Sequence, residues 1–167
     1  EYPIFIDHGK GGHVVDVDGN EYIDMLASYG PIILGHAEAE VDEAVVGQMA
    51  KGFCFNLAQE WQNRVVEKLV EIIPSADMGL LVKTGSDATT AAVRIARGHT
   101  GRDKILRCGY HGWHDWCVEG RGGIPATHYE HTIEFPYNDL DALEDLLTSR
   151  EHGENIAGVI ITPVNHA

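Results

Sequence analysis

The chain has 167 residues, of which 44% are hydrophobic and 23% charged, so it is long enough for one globular domain with a real core. Acidic residues outnumber basic ones 26 to 12, and the formal net charge of -14 argues against a nucleic-acid partner, because no basic stripe is available to neutralise phosphates. No apolar run approaches the roughly 18 residues that cross a bilayer, so no membrane partner is expected, and three widely spaced cysteines favour a reducing, cytoplasmic setting.

The first predicted element is a β-hairpin. The segments His13–Val17 and Glu21–Leu26 flank the turn sequence Asp18-Gly19-Asn20, which is typical of a tight antiparallel connection. A loop punctuated by glycine and proline then runs from Ala27 to His36.

Two helices are predicted next, at Glu40–Met49 and Leu57–Ile73. The second repeats apolar residues at three- to four-residue spacing and is ended by Pro74. We expect this apolar stripe to be packed in the core rather than to line a ligand groove.

The centre of the chain predicts a strand, a helix and a second strand. The apolar run Gly79–Lys83 is bounded by turn residues on both sides. The residues after Ser86 place alanine, isoleucine and other apolar side chains on one helical face up to Gly98, and Lys104–Cys108 follows as the second strand. This order predicts a βαβ unit with parallel strands.

The turn before that helix carries the candidate chemistry. Gly85 lets the backbone approach a ligand, Ser86 adds a hydroxyl, and the free N–H groups of the first helical turn favour an anion such as phosphate. The segment Tyr110-His111-Gly112, after the second strand, could cover a flat heterocycle. The residues alone leave open an ordinary helix cap and a core aromatic.

The remainder contains a long loop, a helix and a strand. Residues 119–136 are rich in glycine and histidine and predict a loop. The His-x-x-His pairs that begin at His111 and His128 lack the H-E-x-x-H arrangement of zinc sites, so no metal is predicted. A helix is predicted after a cap at Asn138, and the apolar run Ile156–Ile161 predicts a buried parallel strand.

Three motifs in this order carry a resemblance to a known family: Thr84–Thr89 (T-G-S-D-A-T), Ala96–Ile105 (A-R-G-H-T-G-R-D-K-I) and Tyr110-His111-Gly112. Together they resemble the class III aminotransferases that use pyridoxal 5'-phosphate (PLP), and within them the glutamate-1-semialdehyde 2,1-aminomutase branch. The family usually reads S-G-T-E-A where this chain has T-G-S-D-A. It usually has Glu-Pro where this chain has Thr162-Pro163, which puts in doubt any role of that Glu.

The resemblance implies an α/β fold, the fold-type I PLP-dependent transferase. Residues 1–35 would form an N-terminal hairpin with an active-site entry loop. Residues 36–167 would form the first, incomplete part of the large parallel-sheet domain that binds PLP. The implied function is PLP-dependent transfer of an amino group, by an aminotransferase or an aminomutase, on an amino acid or an amino-aldehyde or keto substrate.

The resemblance also implies roles for particular residues. Gly85 and Ser86 would bind the cofactor phosphate, while Tyr110 would stack on the cofactor ring with His111 alongside. In the entry loop, the candidate substrate contacts are Ser28 and Tyr29.

The reactive residue is not found in this chain. The family forms a Schiff base through a lysine on a later segment, and its motif is matched by none of the five lysines: Lys10, Lys51, Lys68, Lys83 and Lys104. We therefore expect the 167-residue chain alone to be inactive. The alternative is a non-catalytic fragment or remnant that keeps only the phosphate cradle and a dimerisation surface. The family resemblance implies a homodimer, with Phe53–Asn56 near the partner's active site.

Overall fold

The computed structural model describes residues 3–164. The chain divides into two compact units, Glu1–Val65 and Val66–Ala167. No helix in the described part is long and apolar enough to span a bilayer.

The first unit contains a three-stranded antiparallel sheet, made of β1 (Ile6–Lys10), β2 (His13–Asp16) and β3 (Glu21–Ile23) in the order β1-β2-β3. The predicted hairpin is confirmed as β2 and β3, and β1 is an additional strand that the sequence analysis missed. The turn between β2 and β3 is organised by the carboxylate of Asp16, which accepts hydrogen bonds from the Asn20 N–H at 2.8 Å and the Tyr22 hydroxyl at 2.9 Å.

Two helices follow, α1 (Ala39–Met49) and α2 (Glu60–Ile72), close to their predicted bounds. The prediction of a core role for the apolar stripe is wrong for much of its length, because Leu57, Trp61 and Ile72 are exposed. Helical spacing identifies an apolar face, but burial requires a second element against that face. Trp61 contacts α1 only in part, through a hydrogen bond from its indole N–H to the Gln48 side chain at 3.0 Å, and it stays 46% exposed.

The second unit is an α/β arrangement with a parallel sheet. It contains α3 (Gly85–Thr100), β4 (Lys104–Cys108), β5 (Thr132–Glu134), α4 (Leu140–Thr148) and β6 (Ile156–Ile161). The strand order is β5-β4-β6, and β4 pairs in parallel with both neighbours. The predicted bounds of β4 and β6 are confirmed, as is the α/β fold class with a parallel sheet.

The core lies on the two faces of β4, because successive side chains of a strand point to opposite sides. On one face, Ile105 packs with Val93 of α3 and with Trp116. On the other face, Leu106 packs with Phe135 and Ile156, and α4 covers this cluster. Both Ile105 and Leu106 are fully buried, so the central strand anchors both layers.

Predictions for two segments of this unit are wrong. Gly79–Lys83 forms no strand, and Leu80 is 75% exposed, so the predicted βαβ unit lacks its first strand. An apolar run becomes a strand only by hydrogen bonding to a neighbour, and no described residue pairs with it. Residues 119–136 are not loop throughout, since they contain the short strand β5, which pairs with β4.

Two smaller differences concern α4 and β6. The cap of α4 is Asp139, whose Oδ1 accepts the Ala142 N–H at 2.9 Å, whereas Asn138 has a φ of 58° and stands one residue earlier. Strand β6 is only partly buried, because Val159 and Ile161 are exposed. Strand β6 lies at the edge of the described sheet, where part of its side-chain surface stays uncovered.

Candidate functional site

The helix α3 begins with a reciprocal cap. The Thr84 Oγ1 accepts the Asp87 N–H at 3.1 Å, and the Asp87 carboxylate accepts the Thr84 N–H at 3.0 Å. This capping box satisfies the backbone N–H groups of Thr84 and Asp87. The N–H groups of the two residues between them, Gly85 and Ser86, have no acceptor among residues 3–164. These two donors lie at the positive end of the helix dipole, so the turn is suited to an anion.

A cavity of about 330 Å³ opens beside this turn, and it is lined by Gly85, Ser86, Thr89, Tyr110, His111 and Gly112. The Gly85 Cα faces open space, because a Cβ built there would meet no atom within 4 Å. The Ser86 side chain is buried, and its Oγ accepts the Trp113 N–H at 3.2 Å. The turn is therefore open to a ligand and not filled by its own side chains.

Tyr110 stands at the outer wall of this cavity and is 69% exposed. The interpretation of Tyr110 as a core aromatic is thereby wrong. Its carbonyl accepts the Thr162 hydroxyl at 3.0 Å. The exposed ring is available to cover a flat ligand bound against the helix terminus.

His111 occupies a different environment from its neighbour. Its side chain is 6% exposed, its Nε2–H donates to the Cys108 carbonyl at 3.1 Å, and its ring stacks on Trp116 with centroids 6.5 Å apart. Burial lowers the pKa of the imidazole below its ordinary value of 6.5, so the ring is neutral at neutral pH. Its predicted contact with the cofactor stays a prediction.

Gly112 brings the loop close to the helix. Its φ is 110°, and a Cβ at this position would lie 2.3 Å from the Ser86 Oγ. Only glycine combines this backbone conformation with such a close approach. The loop therefore passes directly over the helix N-terminus and closes one side of the cavity.

Two threonines of α3 that the sequence analysis did not single out hold the same loop. Thr89 Oγ1 donates to the His111 carbonyl at 2.7 Å. The Thr90 Oγ1 accepts the Trp116 indole N–H at 2.8 Å and lies 2.8 Å from the His114 Nδ1. Two adjacent threonines inside an alanine-rich helix were the sequence signal for these contacts.

The candidate substrate residues Ser28 and Tyr29 lie in the first unit, in a 3₁₀ turn with φ angles of 54° and 63°. The Asp24 carboxylate holds this turn by accepting the Ala27 N–H at 2.9 Å, and it pairs with the His36 Nε2 at 2.7 Å. The His36 hydrogen bond is the main cause of a lowered pKa of Asp24. The substrate role of the two residues stays a prediction.

Of the lysines in the second unit, Lys68, Lys83 and Lys104, none is among the residues that line the cavity at the α3 terminus. Lys68 pairs with Glu71 at 2.9 Å, and Lys104 donates to the Glu151 carbonyl at 3.1 Å. Among residues 3–164, no group of three His, Cys, Asp or Glu side chains is placed to hold a metal ion. The site combines free backbone N–H groups, which are suited to an anion, with an aromatic side chain at the cavity wall.

The residues present fit the phosphate end of a phosphorylated planar cofactor. Gly85 and Ser86, which carry the two free N–H groups, line the cavity, and Tyr110 lines it as well. Asp87 belongs to the capping box at the start of α3. Its carboxylate accepts hydrogen bonds from the Thr84 N–H and from the Thr84 hydroxyl.

Comparison with known proteins identifies relatives of this chain. The chain is 63% identical, over 99% of its length and 40% of the relative's, to a 3-aminobutyryl-CoA aminotransferase of Cloacimonas acidaminovorans (strain Evry). It is 41% identical, over 98% of its length and 39% of the relative's, to a glutamate-1-semialdehyde 2,1-aminomutase of Haloarcula marismortui.

A solved structure of a transaminase with PLP bound superposes with a TM-score of 0.92 at 29% identity, covering 99% of this chain and 42% of that one. The chain thus spans about 40% of the length of the relatives it matches. PLP, the cofactor that the motifs implied, is confirmed for the family by this structure. The model of the aminotransferase class-III family matches residues 1–167. This chain belongs to the class III aminotransferases.

Proposed function

We propose that the protein transfers amino groups with PLP as its cofactor and that this chain supplies the phosphate end of the cofactor site. The observation that carries the proposal is the pair of N–H groups, at Gly85 and Ser86, that lack acceptors in the described structure and face an open cavity. Charge-assisted bonds from backbone N–H groups to a phosphate are among the stronger hydrogen bonds in proteins. Family membership supports the cofactor assignment.

Each side of the cavity has a part in this proposal. Gly85 and Ser86 bind the phosphate, and the Tyr110 ring covers the face of the pyridine ring and excludes water from it. His111 is neutral and packed on Trp116, so it supports the inner wall of the cavity without adding charge. PLP, when bound, supplies an electron sink for charge that develops on the amine-bearing carbon.

The experiment that tests this function uses the purified protein with added PLP. We expect saturable PLP binding by this chain, measured by absorbance, and, in a longer protein that also carries the reactive lysine, transfer of an amino group from an amine donor to a 2-oxo acid, measured by product mass. Inorganic phosphate should compete with PLP because it occupies the same N–H groups. Absence of saturable binding would refute the proposal.

The reactive lysine is proposed to lie outside these 167 residues. No lysine of the second unit lines the cavity, which supports this proposal. The chain alone should then bind PLP without catalysing transfer. Turnover by a sample shown by mass spectrometry to contain only this chain would contradict it. PLP binding without turnover in every longer form would favour the alternative, a non-catalytic remnant that retains the phosphate cradle.

We propose a 3-aminoacyl thioester as the substrate, in preference to glutamate-1-semialdehyde. The identity of 63% to the 3-aminobutyryl-CoA aminotransferase, against 41% to the aminomutase, supports this choice. Assays with both compounds would separate the two, since the aminomutase reaction isomerises one compound and needs no separate amino acceptor. Ser28 and Tyr29 are proposed to contact this substrate, and Ser28→Ala should raise KM more than it lowers kcat.

The protein is further proposed to act as a homodimer. Large apolar side chains are exposed along the first unit, and they include Val45, Phe53 and Phe55. Exposed apolar side chains are typical of an interaction surface where they gather in a patch. Light scattering coupled to size exclusion should give twice the mass of one chain, and Phe55→Glu should shift the population towards monomer.

A further inference from the structure

Thr162 follows strand β6 directly and contacts the loop that carries Tyr110. Its N–H donates to the Cys108 carbonyl at 2.9 Å, and its hydroxyl donates to the Tyr110 carbonyl at 3.0 Å. Between these two contacts lies Gly109, with a φ of 91°, where a Cβ would come within 2.6 Å of the Thr162 Oγ1. The Thr162 side chain therefore packs directly against the backbone at the start of the loop.

The loop backbone is held at three carbonyl acceptors around Tyr110. Thr162 holds the Cys108 and Tyr110 carbonyls, and the Thr89 hydroxyl holds the His111 carbonyl at 2.7 Å. With these peptide groups fixed, the Tyr110 ring retains chiefly its own side-chain torsions. Its position over the cavity is thus set by a contact from the neighbouring strand as well as by the helix.

The contact depends on a hydroxyl at position 162. A carbonyl oxygen can only accept, so the partner must be a donor, and an ionised carboxylate offers none. A Glu at this place, which the family usually has, would set acceptor against acceptor. Thr162, which stands where the family usually has Glu, therefore allows the hydrogen bond to the Tyr110 carbonyl.

We propose that Thr162 is a positioning residue that holds the Tyr110 ring over the cofactor. This inference rests on the proposed function, because it assumes that PLP binds between Gly85 and Tyr110. Thr162 does not touch the reacting atoms and acts through the peptide group of Tyr110. Loss of its hydroxyl loosens the ring while the phosphate contacts remain.

The test compares Thr162→Val, which removes the hydroxyl at nearly constant shape, with Thr162→Ser, which keeps it. Thr148→Val is the matched control, because its hydroxyl donates to the Glu144 carbonyl within α4. We expect Thr162→Val to weaken PLP binding about 3- to 10-fold, the range that follows from one hydrogen bond, and to reduce the visible circular dichroism of bound PLP. Thr162→Ser and Thr148→Val should bind PLP as the wild type does.

A second readout needs no cofactor. Amide hydrogen exchange of the segment around Tyr110 should become faster in PLP-free Thr162→Val and stay unchanged in Thr162→Ser. Unchanged exchange and unchanged dichroism in Thr162→Val would overturn the role of Thr162. A wild type that binds no PLP would instead refute the proposed function, so the two failures are distinguishable. Thermal unfolding of each variant identifies one that fails to fold; if Thr162→Val does, Thr162→Ala takes its place, and the same two outcomes decide.

Discussion

Gly85→Asp should weaken PLP binding and, at the same time, slightly increase the free energy of unfolding. Gly85 is the first residue of α3, and a Cβ there meets nothing within 4 Å. An aspartate therefore fits without steric cost. Its carboxylate lies in the first helical turn, where a negative charge stabilises a helix by about 0.3–1 kcal/mol.

The cost to binding follows from Coulomb repulsion between this carboxylate and the phosphate. Two unit charges 4 Å apart interact by about 1 kcal/mol in water and about 4 kcal/mol near a protein surface of lower effective dielectric. The cavity is partly open, so an intermediate value of about 2 kcal/mol applies, which corresponds to roughly a 30-fold loss of affinity. Binding should weaken while the free energy of unfolding rises slightly.

The assay is titration of the purified variants with PLP, followed by absorbance, together with thermal unfolding without PLP. Gly85→Asn is the matched control, because it has the same shape without the charge. Added salt should reduce the difference in PLP affinity between the two variants, because it screens the repulsion. If Gly85→Asp and Gly85→Asn bind PLP equally well at low salt, the phosphate does not lie at this turn and the reasoning fails.

Three further predictions concern stability. Gly112→Ala places a Cβ 2.3 Å from the Ser86 Oγ at a φ of 110°, so it should cost about 2 kcal/mol or more; an unchanged Tm would contradict the close approach. Leu106→Ala opens a cavity at a fully buried position and should cost about 2–5 kcal/mol in urea unfolding. Leu140→Ala, at an exposed position, is the comparison and should cost little stability. Equal losses of unfolding free energy in the two leucine variants would contradict the assigned core. A side-chain hydrogen bond from the turn asparagine is the largest cause of a lowered pKa of Asp16, whose ordinary value is 3.8. Its stabilisation is present above that pH and is lost as the pH falls through the lowered pKa. Asp16→Asn should therefore lose stability at neutral pH and little at low pH; a pH-independent difference would exclude this linkage.

Local patterns were sufficient for several elements. Strands β4 and β6 have the predicted bounds, and α3 lies where a helix was predicted, although it begins at Gly85, inside the predicted turn, and continues past Gly98 to Thr100. The motif order from Thr84 to Gly112 was likewise sufficient to indicate the family. These features depend on neighbours in sequence, so the sequence contains them directly.

Pairing and burial could not be obtained in this way. Gly79–Lys83 has the composition of a strand but lacks a partner in the described structure, whereas the three residues of β5 carry a weak signal and form a strand because β4 lies beside them. Tyr110 and His111 are adjacent in sequence, yet one faces the cavity and the other is packed on Trp116. The difference comes from what surrounds each side chain.

The sequence by itself determined the helix cap, the glycine turn and the family to which the chain belongs, because each is written in consecutive residues. Only the tertiary structure decided that the N–H groups of Gly85 and Ser86 stay free, and that Thr89 and Thr162 hold the loop opposite them. Those contacts join residues 22 and 52 positions apart. Hydrogen bonds over such separations form only when the sheet and helix bring donor and acceptor together.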